Sequence, residues 1–369
     1  PHEKLKDADD GNKTCVYCNK TGKFVATVNN NFYEKMDGDD GAIAAWLANG
    51  GTLKLYANYT ASGDVTWYGG YGNNVLDLNG HTMTAENGAF KPSDKLVAGM
   101  SLTIRDTSEK QNGSISHIIL SEENNYQSLD LESGHIDNLE VVDNSGTVAL
   151  NGGSIGKYSL PSGKVLADWL HVVGNDHYRV DEGVDLTANS KTDAESKITI
   201  TKSTSPMIAP NPGGTQTDNV SFGGSIPFKP VVDGAAAYSV LWYRRTTDGV
   251  QLMETVTVNN GERTTELDSD AFKDVNIGDE LNVFCVIQVT DGSGTWQTAI
   301  TGYTLTVKQA DLAEAAITQV AGANGSIGNV PDGSFVYSFF GQYGNTANTL
   351  EYCFKVTYNG KELVEGEDY

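Results

Sequence analysis

The stretch Ser128-Leu-Asp-Leu-Glu-Ser-Gly-His-Ile136 decides the fold, because it returns 19 residues later as Thr147-Val-Ala-Leu-Asn-Gly-Gly-Ser-Ile155. Each copy alternates apolar and polar residues, reaches a polar corner that contains glycine, and then begins another strand. A unit of about 20 residues cannot bury its apolar side alone, so it must stack on its neighbours. The repeat therefore predicts a parallel β-helix, an all-β fold made of stacked coils.

Related strands lie nearby in the chain, at 75–83, 101–106 and 138–143, so we expect the coil to cover residues 51 to 163 with rungs of uneven length. Asp77 and Asp130 hold the same place in their repeats, between two inward leucines, and are expected to stack on the outer face. The alternative is an antiparallel sandwich, whose strands also alternate and also end in glycine or asparagine. Hairpin turns do not by themselves give similar strands at a constant offset, which favours the coil.

Bulk composition excludes several functions. The chain has 369 residues and a net charge of −23, with 41 glycines and 9 prolines. This length predicts two or three domains, and the turn-rich composition predicts short strands. Such a negative field repels nucleic acid and anionic lipid, so neither is expected as a primary partner. No run of about 18 apolar residues is present, so we expect no membrane insertion.

The chain opens at Pro1 and stops at Tyr369 inside an expected strand, which suggests a fragment of a larger secreted protein. Its four cysteines make a poor disulfide framework at this length. This usage suits a surface protein of an anaerobic bacterium or a cytosolic protein, and the acidic, repetitive composition favours the surface protein.

Residues 1–24 form a separate arm, in which His2 precedes the Cys15-x-x-Cys18 pair. Two thiolates at this spacing can bind one tetrahedral zinc ion, so His2, Cys15 and Cys18 are the candidate ligands. A fourth ligand is not visible in the sequence. The alternative is a cysteine pair on a flexible arm with His2 in solvent, and a redox role is disfavoured because no thioredoxin-like pattern surrounds the pair.

Between the arm and the coil, residues 24–28 alternate and meet three asparagines, which predicts a strand and a turn. A short helix is expected over 41–49, after Asp39 and Asp40 and before two glycines. We expect this helix to cap the open end of the coil, with Trp46 and Leu47 facing the first rungs.

Three phrases resemble a known family: Leu76-Asp-Leu-Asn-Gly-His-Thr-Met83, Leu102-Thr-Ile-Arg-Asp106 and Gly113-Ser-Ile-Ser116. They look like the pectate-lyase-like right-handed β-helix of many bacterial surface proteins. The resemblance implies the fold rather than one function, because lyases, hydrolases, binding modules and inert stalks share it. The arm resembles a module common in surface proteins of Gram-positive anaerobes, and that resemblance implies that its missing cysteine precedes Pro1.

The second half of the chain reads as further β-modules. A linker of 203–215, rich in proline and glycine, separates the β-helix domain of 25–202 from residues 216–308. The latter resemble an immunoglobulin-like sandwich, with Trp242 on a central strand and Cys285 as a buried small hydrophobe whose partner slot Ile226 or Phe228 fills. Residues 309–369 resemble a partial third module, in which Asn359-Gly360 predicts a tight hairpin.

Catalysis on the coil needs clustered groups. A lyase needs acidic residues from adjacent rungs and a nearby arginine or lysine base. The candidates are Asp77, Arg105, Asp106, Asp130 and Asp143. They lie on different rungs, and the sequence alone forces no pair onto one face. A hydrolase needs two carboxylates at a defined separation, for which Glu122, Glu123 and Glu132 qualify on composition alone.

Sugar binding has a better candidate. Trp67, Tyr68 and Tyr71 lie in one glycine-rich stretch, and flat aromatic rings stack on the apolar faces of sugars. The alternative is that these rings pack over the base of their own loop. We therefore expect a non-catalytic, modular protein of a Gram-positive bacterial surface or cell wall, which binds a glycan or a protein on a host or neighbouring cell. A polysaccharide lyase or glycoside hydrolase is the first alternative, and an inert stalk is the second.

Overall fold

The computed structural model describes residues 5–7, 12–17, 19, 21–67, 73–92, 100–121, 126–144, 146–170, 172–173, 176–209, 216–221, 230–235, 237–247, 249–259, 275–276, 278–308, 315–319, 325–329, 335–339, 354–358 and 361–363. The chain is all-β with little helix, and its central feature is a β-solenoid of about four turns.

The arm contains three short antiparallel strands: β1 (Leu5–Asp7), β2 (Lys13–Cys15) and β3 (Thr21–Gly22). The next elements lead into the solenoid: β4 (Ala26–Val28), β5 (Asn31–Tyr33) and helix α1 (Ala42–Asn49). The solenoid strands follow: β6 (Gly51–Leu55), β7 (Tyr59–Ala61), β8 (Val65–Trp67), β9 (Asn73–Asp77), β10 (Thr82–Ala85), β11 (Phe90–Pro92), β12 (Met100–Arg105), β13 (Ser114–Leu120), β14 (Tyr126–Leu131), β15 (His135–Val141), β16 (Thr147–Leu150) and β17 (Ser154–Ser159).

The first solenoid sheet runs in the order β16-β14-β12-β9-β6, and all of these pairs are parallel. Strand β14 pairs with β16 so that Ser128 lies opposite Thr147 and Leu131 opposite Leu150. This register is the 19-residue offset read in the sequence, so the predicted stacking of the two copies is confirmed. The antiparallel alternative is wrong for this sheet.

The second sheet contains β17-β15-β13-β10-β7, again in parallel, and β15 pairs with β17 at the same offset. Strands β8 and β11 extend it, with Phe90 opposite both Val65 and Ile118. Inward side chains therefore form rows across the turns. One such row contains Leu53, Leu76, Ile104, Leu131 and Leu150, each 2% exposed or less.

The predicted stacking of Asp77 on Asp130 is wrong. Asp77 lies opposite Lys54 on one side and Arg105 on the other, whereas Asp130 lies opposite Thr103 and Ala149. The two similar phrases are thus offset by two residues in the stack, because Leu76, and not Leu78, shares a row with Leu131. Asp77 is also 1% exposed, so it is a buried polar group.

Glycines at the corners allow the turns to approach closely. Gly134 and Gly153 precede β15 and β17 with φ of 88° and 73°, a conformation that side chains strongly disfavour. A Cβ atom at Gly153 would lie 2.6 Å from the carbonyl oxygen of Gly134. This contact explains why the repeated corner carries glycine in both copies.

The helix prediction is confirmed for α1, which ends at Gly50 with a positive φ of 64°. Its residues Ala42, Ile43 and Trp46 belong to the same buried cluster as the solenoid rows, and Leu47 packs against that cluster. Trp46 also donates from Nε1 to the Gly51 carbonyl at 2.9 Å, which ties the helix to the start of β6. The predicted turn before the helix is present at Asn29 and Asn30, which join β4 to the antiparallel β5.

After β17 the chain forms a 3₁₀ helix (Leu166–Trp169) and six short strands. These strands are β18 (Val172–Val173), β19 (Asp176–Asp181), β20 (Ser190–Lys191), β21 (Ile198–Thr199), β22 (Thr201–Ser203) and β23 (Met207–Ala209). Residues 207–209 of the predicted linker are therefore a strand instead of an extended hinge, and residues 210–215 lie outside the described part.

The strands that follow are β24 (Gln216–Ser221), β25 (Val231–Asp233), β26 (Ala237–Thr246), β27 (Gly249–Val258), β28 (Glu280–Asp291) and β29 (Gly294–Lys308). We call the sheet that contains β26 to β29 the Trp242 sheet. Trp242 and Cys285 are register partners on β26 and β28, and both are fully buried. Burial raises the pKa of the Cys285 thiol, so Cys285 is a buried apolar residue, as predicted. Ile226 and Phe228 lie outside the described residues.

This sheet docks directly on the solenoid side. Strand β19 pairs antiparallel with β29, and Gln297 on β29 donates from Nε2 to the carbonyls of Asp181 and Glu182 at 3.0 and 3.1 Å. Phe284 and Ala299 belong to the buried cluster of the solenoid. One face of the sheet therefore packs on the solenoid, while Trp242 and Cys285 belong to a separate cluster.

The C-terminal segment has five strands: β30 (Ala315–Gln319), β31 (Gly325–Asn329), β32 (Phe335–Phe339), β33 (Phe354–Tyr358) and β34 (Lys361–Glu362). Strand β33 pairs antiparallel with β34, with Tyr358 opposite Lys361. Two residues separate these partners, so the hairpin predicted from Asn359-Gly360 is confirmed by its flanking strands.

Candidate functional site

A cavity of about 580 Å³ lies between helix α1 and the strands β7 and β8, and we call it the helix-side cavity. Ile43 and Leu47 of the helix and Val65 of β8 supply apolar surface to it. The segment from Thr60 to Thr66 supplies hydroxyl groups and backbone along the other wall. Its size lies within the range of small-molecule sites, and its mixture of apolar and polar groups suits a polar ligand with apolar faces.

Two carboxylates and one phenol lie at this cavity. Tyr59 donates from Oη to Asp37 Oδ1 at 2.6 Å, and burial together with the Asp37 carboxylate raises the pKa of Tyr59 well above its ordinary value. The phenol therefore stays protonated. Asp64 forms an ion pair with Lys91 and accepts from the Ala89 amide at 3.0 Å, and these contacts lower its pKa. Asp37 and Asp64 thus supply planar carboxylate acceptors to the cavity.

Of the predicted aromatic residues, only the backbone of Trp67 belongs to the described part of the chain. Trp67 is the last residue of β8, opposite Pro92 of β11, and the residue before it, Thr66, lines the cavity. Tyr68 and Tyr71 lie outside the described residues. The cavity lining contains Tyr59, Asp37 and Asp64 instead, which the sequence reasoning did not single out. The signal for Tyr59 was available, since it precedes Trp67 by eight residues in the same turn of the coil.

The predicted zinc ligands are only partly described. Cys15 ends β2 and is fully buried, whereas His2 and Cys18 lie outside the described residues. Among the residues that the structure describes, no group of three His, Cys, Asp or Glu side chains is placed to hold a metal ion. The zinc site at His2, Cys15 and Cys18 stays a prediction.

A second, smaller cavity of about 300 Å³ lies on the first sheet, and we call it the basic pocket. Its centre is the row Lys54, Asp77 and Arg105, which comes from three successive turns. Lys54 Nζ lies 3.5 Å from Asp77 Oδ2, and Arg105 Nε lies 3.8 Å from the same oxygen. Asp77 and Arg105 were both sequence candidates, and Lys54 was missed because the row depends on the register of the stack.

Asp106 belongs to a corner and not to this row. Its carboxylate accepts from the backbone amides of Gly80, Ser108 and Gly113 at 2.9, 2.9 and 2.5 Å. Burial raises the pKa of Asp106, but these hydrogen bonds, together with one from the Ser108 side chain, outweigh it and hold the pKa below its ordinary value. The carboxylate therefore holds its own corner together and joins it to Gly80 of the neighbouring turn, which is the corner role that the sequence favoured over catalysis.

The remaining acidic candidates are dispersed. Asp130 lies within β14, is partially exposed, and shares its row with Thr103 and Ala149. Asp143 lies after the end of β15. Glu132 is exposed, and Glu122 and Glu123 lie outside the described residues.

One hydrogen-bonded chain has the composition of a hydrolase triad. His135 Nδ1 lies 2.8 Å from Ser154 Oγ, and His135 Nε2 lies 3.0 Å from Asp137 Oδ1. However, the Ser154 amide is bonded to the Gly134 carbonyl in the stack, so it is not available to stabilise an oxyanion. We assign this hydrogen-bonded group of three side chains to the polar row across the second solenoid sheet, because His135 and Ser154 are direct register partners.

Comparison of the chain with protein-family models and with curated protein sequences gives no match. The structure itself defines the class, an all-β protein with a β-solenoid. The resemblance to one family of bacterial surface proteins stays a prediction. In the part of the chain that the structure describes, no helix has the length and apolar character needed to cross a membrane.

Proposed function

We propose that this chain is a non-catalytic, glycan-binding segment of a modular surface protein from a Gram-positive, anaerobic bacterium. The observation that carries the proposal is the helix-side cavity, which combines apolar surface with two carboxylates and a protonated phenol. The sequence adds Trp67, which directly follows Thr66 of the lining, as the candidate stacking ring. A sugar offers apolar faces and many hydroxyl groups, so it needs this combination of surfaces. The solenoid supplies a rigid side on which the cavity is displayed.

The other parts of the proposal concern architecture and location. Helix α1 acts as the cap of a right-handed, pectate-lyase-like coil, and its burial in the solenoid core supports this role. The sheet around Trp242 is an immunoglobulin-like stalk module, supported by the Trp242–Cys285 pair and the long strands β26 to β29. His2, Cys15 and Cys18 of the arm are the zinc ligands of this proposal. Secretion to the cell surface or cell wall follows from this modular reading.

Binding of neutral glycans tests the proposal. The full chain is applied to a glycan array, and its best neutral ligand is then titrated against the wild type and Trp67→Ala. Removal of one stacking aromatic ring is expected to weaken binding about tenfold or more. Tyr17→Ala is the matched control, because Tyr17 is an exposed aromatic residue of the arm, and it is expected to bind like the wild type.

Two results would contradict this function. Equal binding by the wild type and Trp67→Ala would remove the stacking ring from the proposed site. Release of unsaturated oligosaccharides from a polyuronate would show polysaccharide lyase activity and would contradict a non-catalytic binding function. A protein on a neighbouring cell is the second ligand class, and capture of a purified surface protein that Trp67→Ala abolishes would identify it.

A further inference from the structure

The basic pocket is the one place on the described solenoid where two cations converge on a single buried carboxylate and line a cavity. Asp77 is 1% exposed, and Lys54 and Arg105 lie on either side of it in the same row. Two positive groups against one negative group leave one positive charge in excess. This excess stands out on a chain whose net charge is −23.

Asp77 has no remaining capacity to satisfy both cations. Its carboxylate already accepts from the Asn79 amide at 3.1 Å, the Thr107 amide at 3.1 Å and the Thr107 hydroxyl at 2.9 Å. A carboxylate has about four lone-pair positions, so these bonds occupy most of them. The separations of 3.5 Å to Lys54 and 3.8 Å to Arg105 indicate that Asp77 is shared between the two cations and forms a close ion pair with neither.

The cations keep unused donors. Lys54 has three N–H donors, of which one reaches Thr107 Oγ1 at 2.8 Å. Arg105 has five N–H donors, and its Nε is buried without a hydrogen-bond partner among the described residues. A buried donor without an acceptor is costly, and an incoming anion would satisfy it.

The rest of the lining is also rich in donors. Tyr56, Thr27, Thr52 and Asn30 border the same cavity. Burial and the nearby Asp77 charge raise the pKa of Tyr56, so its hydroxyl keeps its proton at neutral pH. The pocket of about 300 Å³ therefore offers hydroxyl, ammonium and guanidinium donors to a small ligand group, and Asp77, the one carboxylate in its described lining, is already hydrogen-bonded.

We propose that the basic pocket binds the anionic substituent of a glycan, a sulfate ester or a carboxylate, between Lys54 and Arg105. The planar guanidinium matches either oxyanion with two parallel hydrogen bonds, and the ammonium supplies a point charge. Asp77 does not touch the ligand and instead holds the two cations in place. This inference deepens the proposed glycan function but uses a different face of the solenoid from the helix-side cavity.

The test compares N-acetylglucosamine 6-sulfate, glucuronate and neutral N-acetylglucosamine by ligand-observed NMR with the full chain. The two anionic sugars are expected to bind more tightly than the neutral sugar, and their binding is expected to weaken as salt is added. Inorganic sulfate is included to separate a free oxyanion from one carried by a sugar. Competition by inorganic sulfate as effective as the sulfated sugar would show an ion site without glycan recognition and would overturn the proposal.

Substitutions locate the site. Lys54→Gln and Arg105→Gln are each expected to weaken binding of the sulfated sugar about tenfold or more, since each removes a charge-assisted hydrogen bond. Arg105→Lys keeps the charge and is expected to retain part of the affinity. Lys202→Gln is the control, because it removes a cation that is paired with Asp176 and lines neither cavity. Thermal unfolding is recorded for each variant to show that it folds.

The outcomes separate this site from the helix-side cavity. Binding of the sulfated sugar that Lys54→Gln abolishes and Trp67→Ala leaves intact supports the basic pocket, even where neutral glycans fail to bind. Equal affinity for the neutral and sulfated sugars overturns it. Unchanged affinity in the folded Lys54→Gln and Arg105→Gln variants overturns it as well.

Discussion

Replacing Asp106 by asparagine is expected to lower the free energy of unfolding by about 3 kcal/mol, although the two side chains have nearly the same shape. Asp106 is 2% exposed, and its carboxylate accepts from the amides of Ser108 and Gly113 in its own corner and from the amide of Gly80 in the neighbouring turn. Asparagine keeps one acceptor oxygen and turns an NH₂ group towards an amide that needs an acceptor. The measurement is urea denaturation followed by circular dichroism.

The matched control is Glu109→Gln, which removes one negative charge from an exposed position of the same corner. It is expected to change the free energy of unfolding by less than about 0.5 kcal/mol. The pKa of Asp106 is lowered in the folded state, so its stabilising contribution is present above the ordinary carboxyl pKa and is lost as pH falls through the folded value. A loss in Asp106→Asn no larger than that in Glu109→Gln would show that the corner does not depend on this carboxylate.

The second large effect concerns His177 at the junction between the solenoid and the Trp242 sheet. His177 is fully buried and stacks on Trp296 with ring centroids 5.0 Å apart, and neither of its ring nitrogens has a hydrogen-bond partner among the residues that the structure describes. Burial lowers its pKa to about 4, and the nearby Arg179 adds to the effect. The folded protein therefore holds the imidazole neutral.

The sign of the pH effect follows from this pKa. Above the ordinary histidine pKa of about 6.5, neither state binds the proton, and His177 adds no pH dependence. Between that value and about 4, the unfolded chain binds a proton that the folded chain does not. The free energy of unfolding therefore falls as pH falls, by up to about 3 kcal/mol in total.

Replacing His177 by phenylalanine is expected to remove this loss, because the ring keeps its stacking and gains no charge. The difference in free energy of unfolding between His177→Phe and the wild type is expected to grow steadily from pH 7 to pH 4. Acid effects of other groups, such as Asp106, cancel in this difference. A difference that stays constant over that range would mean that His177 is not buried in the folded state.

The sequence predicted the solenoid because its signal is periodic. The offset between residues 128 and 147 is the register observed between β14 and β16, and the corner glycines recur where the backbone needs a positive φ. Helix α1 and the hairpin flanking Asn359-Gly360 were also predictable, since both depend on local signals. For the helix and the hairpin, the residues that determine the local structure lie within a few positions of one another.

The candidate sites were less predictable because they depend on register between turns. The phrases around Asp77 and Asp130 look equivalent, but a shift of two residues places Asp77 beside Lys54 and Arg105. No local pattern reveals that shift, because turns of uneven length are absorbed in the corners. The helix-side cavity likewise joins Asp37, before the helix, to Tyr59 and Asp64 after it.

The docking of the Trp242 sheet was missed for a similar reason. The proline and glycine residues of 203–215 favour a hinge locally, whereas the contacts that join the two parts come from Gln297 and the strands β19 and β29. Gln297 lies more than 100 positions along the sequence from each residue whose carbonyl accepts its hydrogen bonds. Local composition predicted a hinge at 203–215, which stays a prediction, and it carried no information about the packing that joins the two parts.

The most direct test of this account is disulfide trapping between neighbouring coils. Two double variants are compared, Ser128→Cys with Thr147→Cys and Asp130→Cys with Ala149→Cys, each joining register partners of β14 and β16. Partners on adjacent strands lie about 5 Å apart, which a disulfide can span, whereas Asp130→Cys with Thr147→Cys places the thiols about 8 Å apart. Mass spectrometry of the oxidised proteins is expected to find both register pairs linked and the offset pair largely unlinked. An antiparallel arrangement would satisfy at most one of the two register pairs, and that result would contradict the stacked solenoid and both sites built on it.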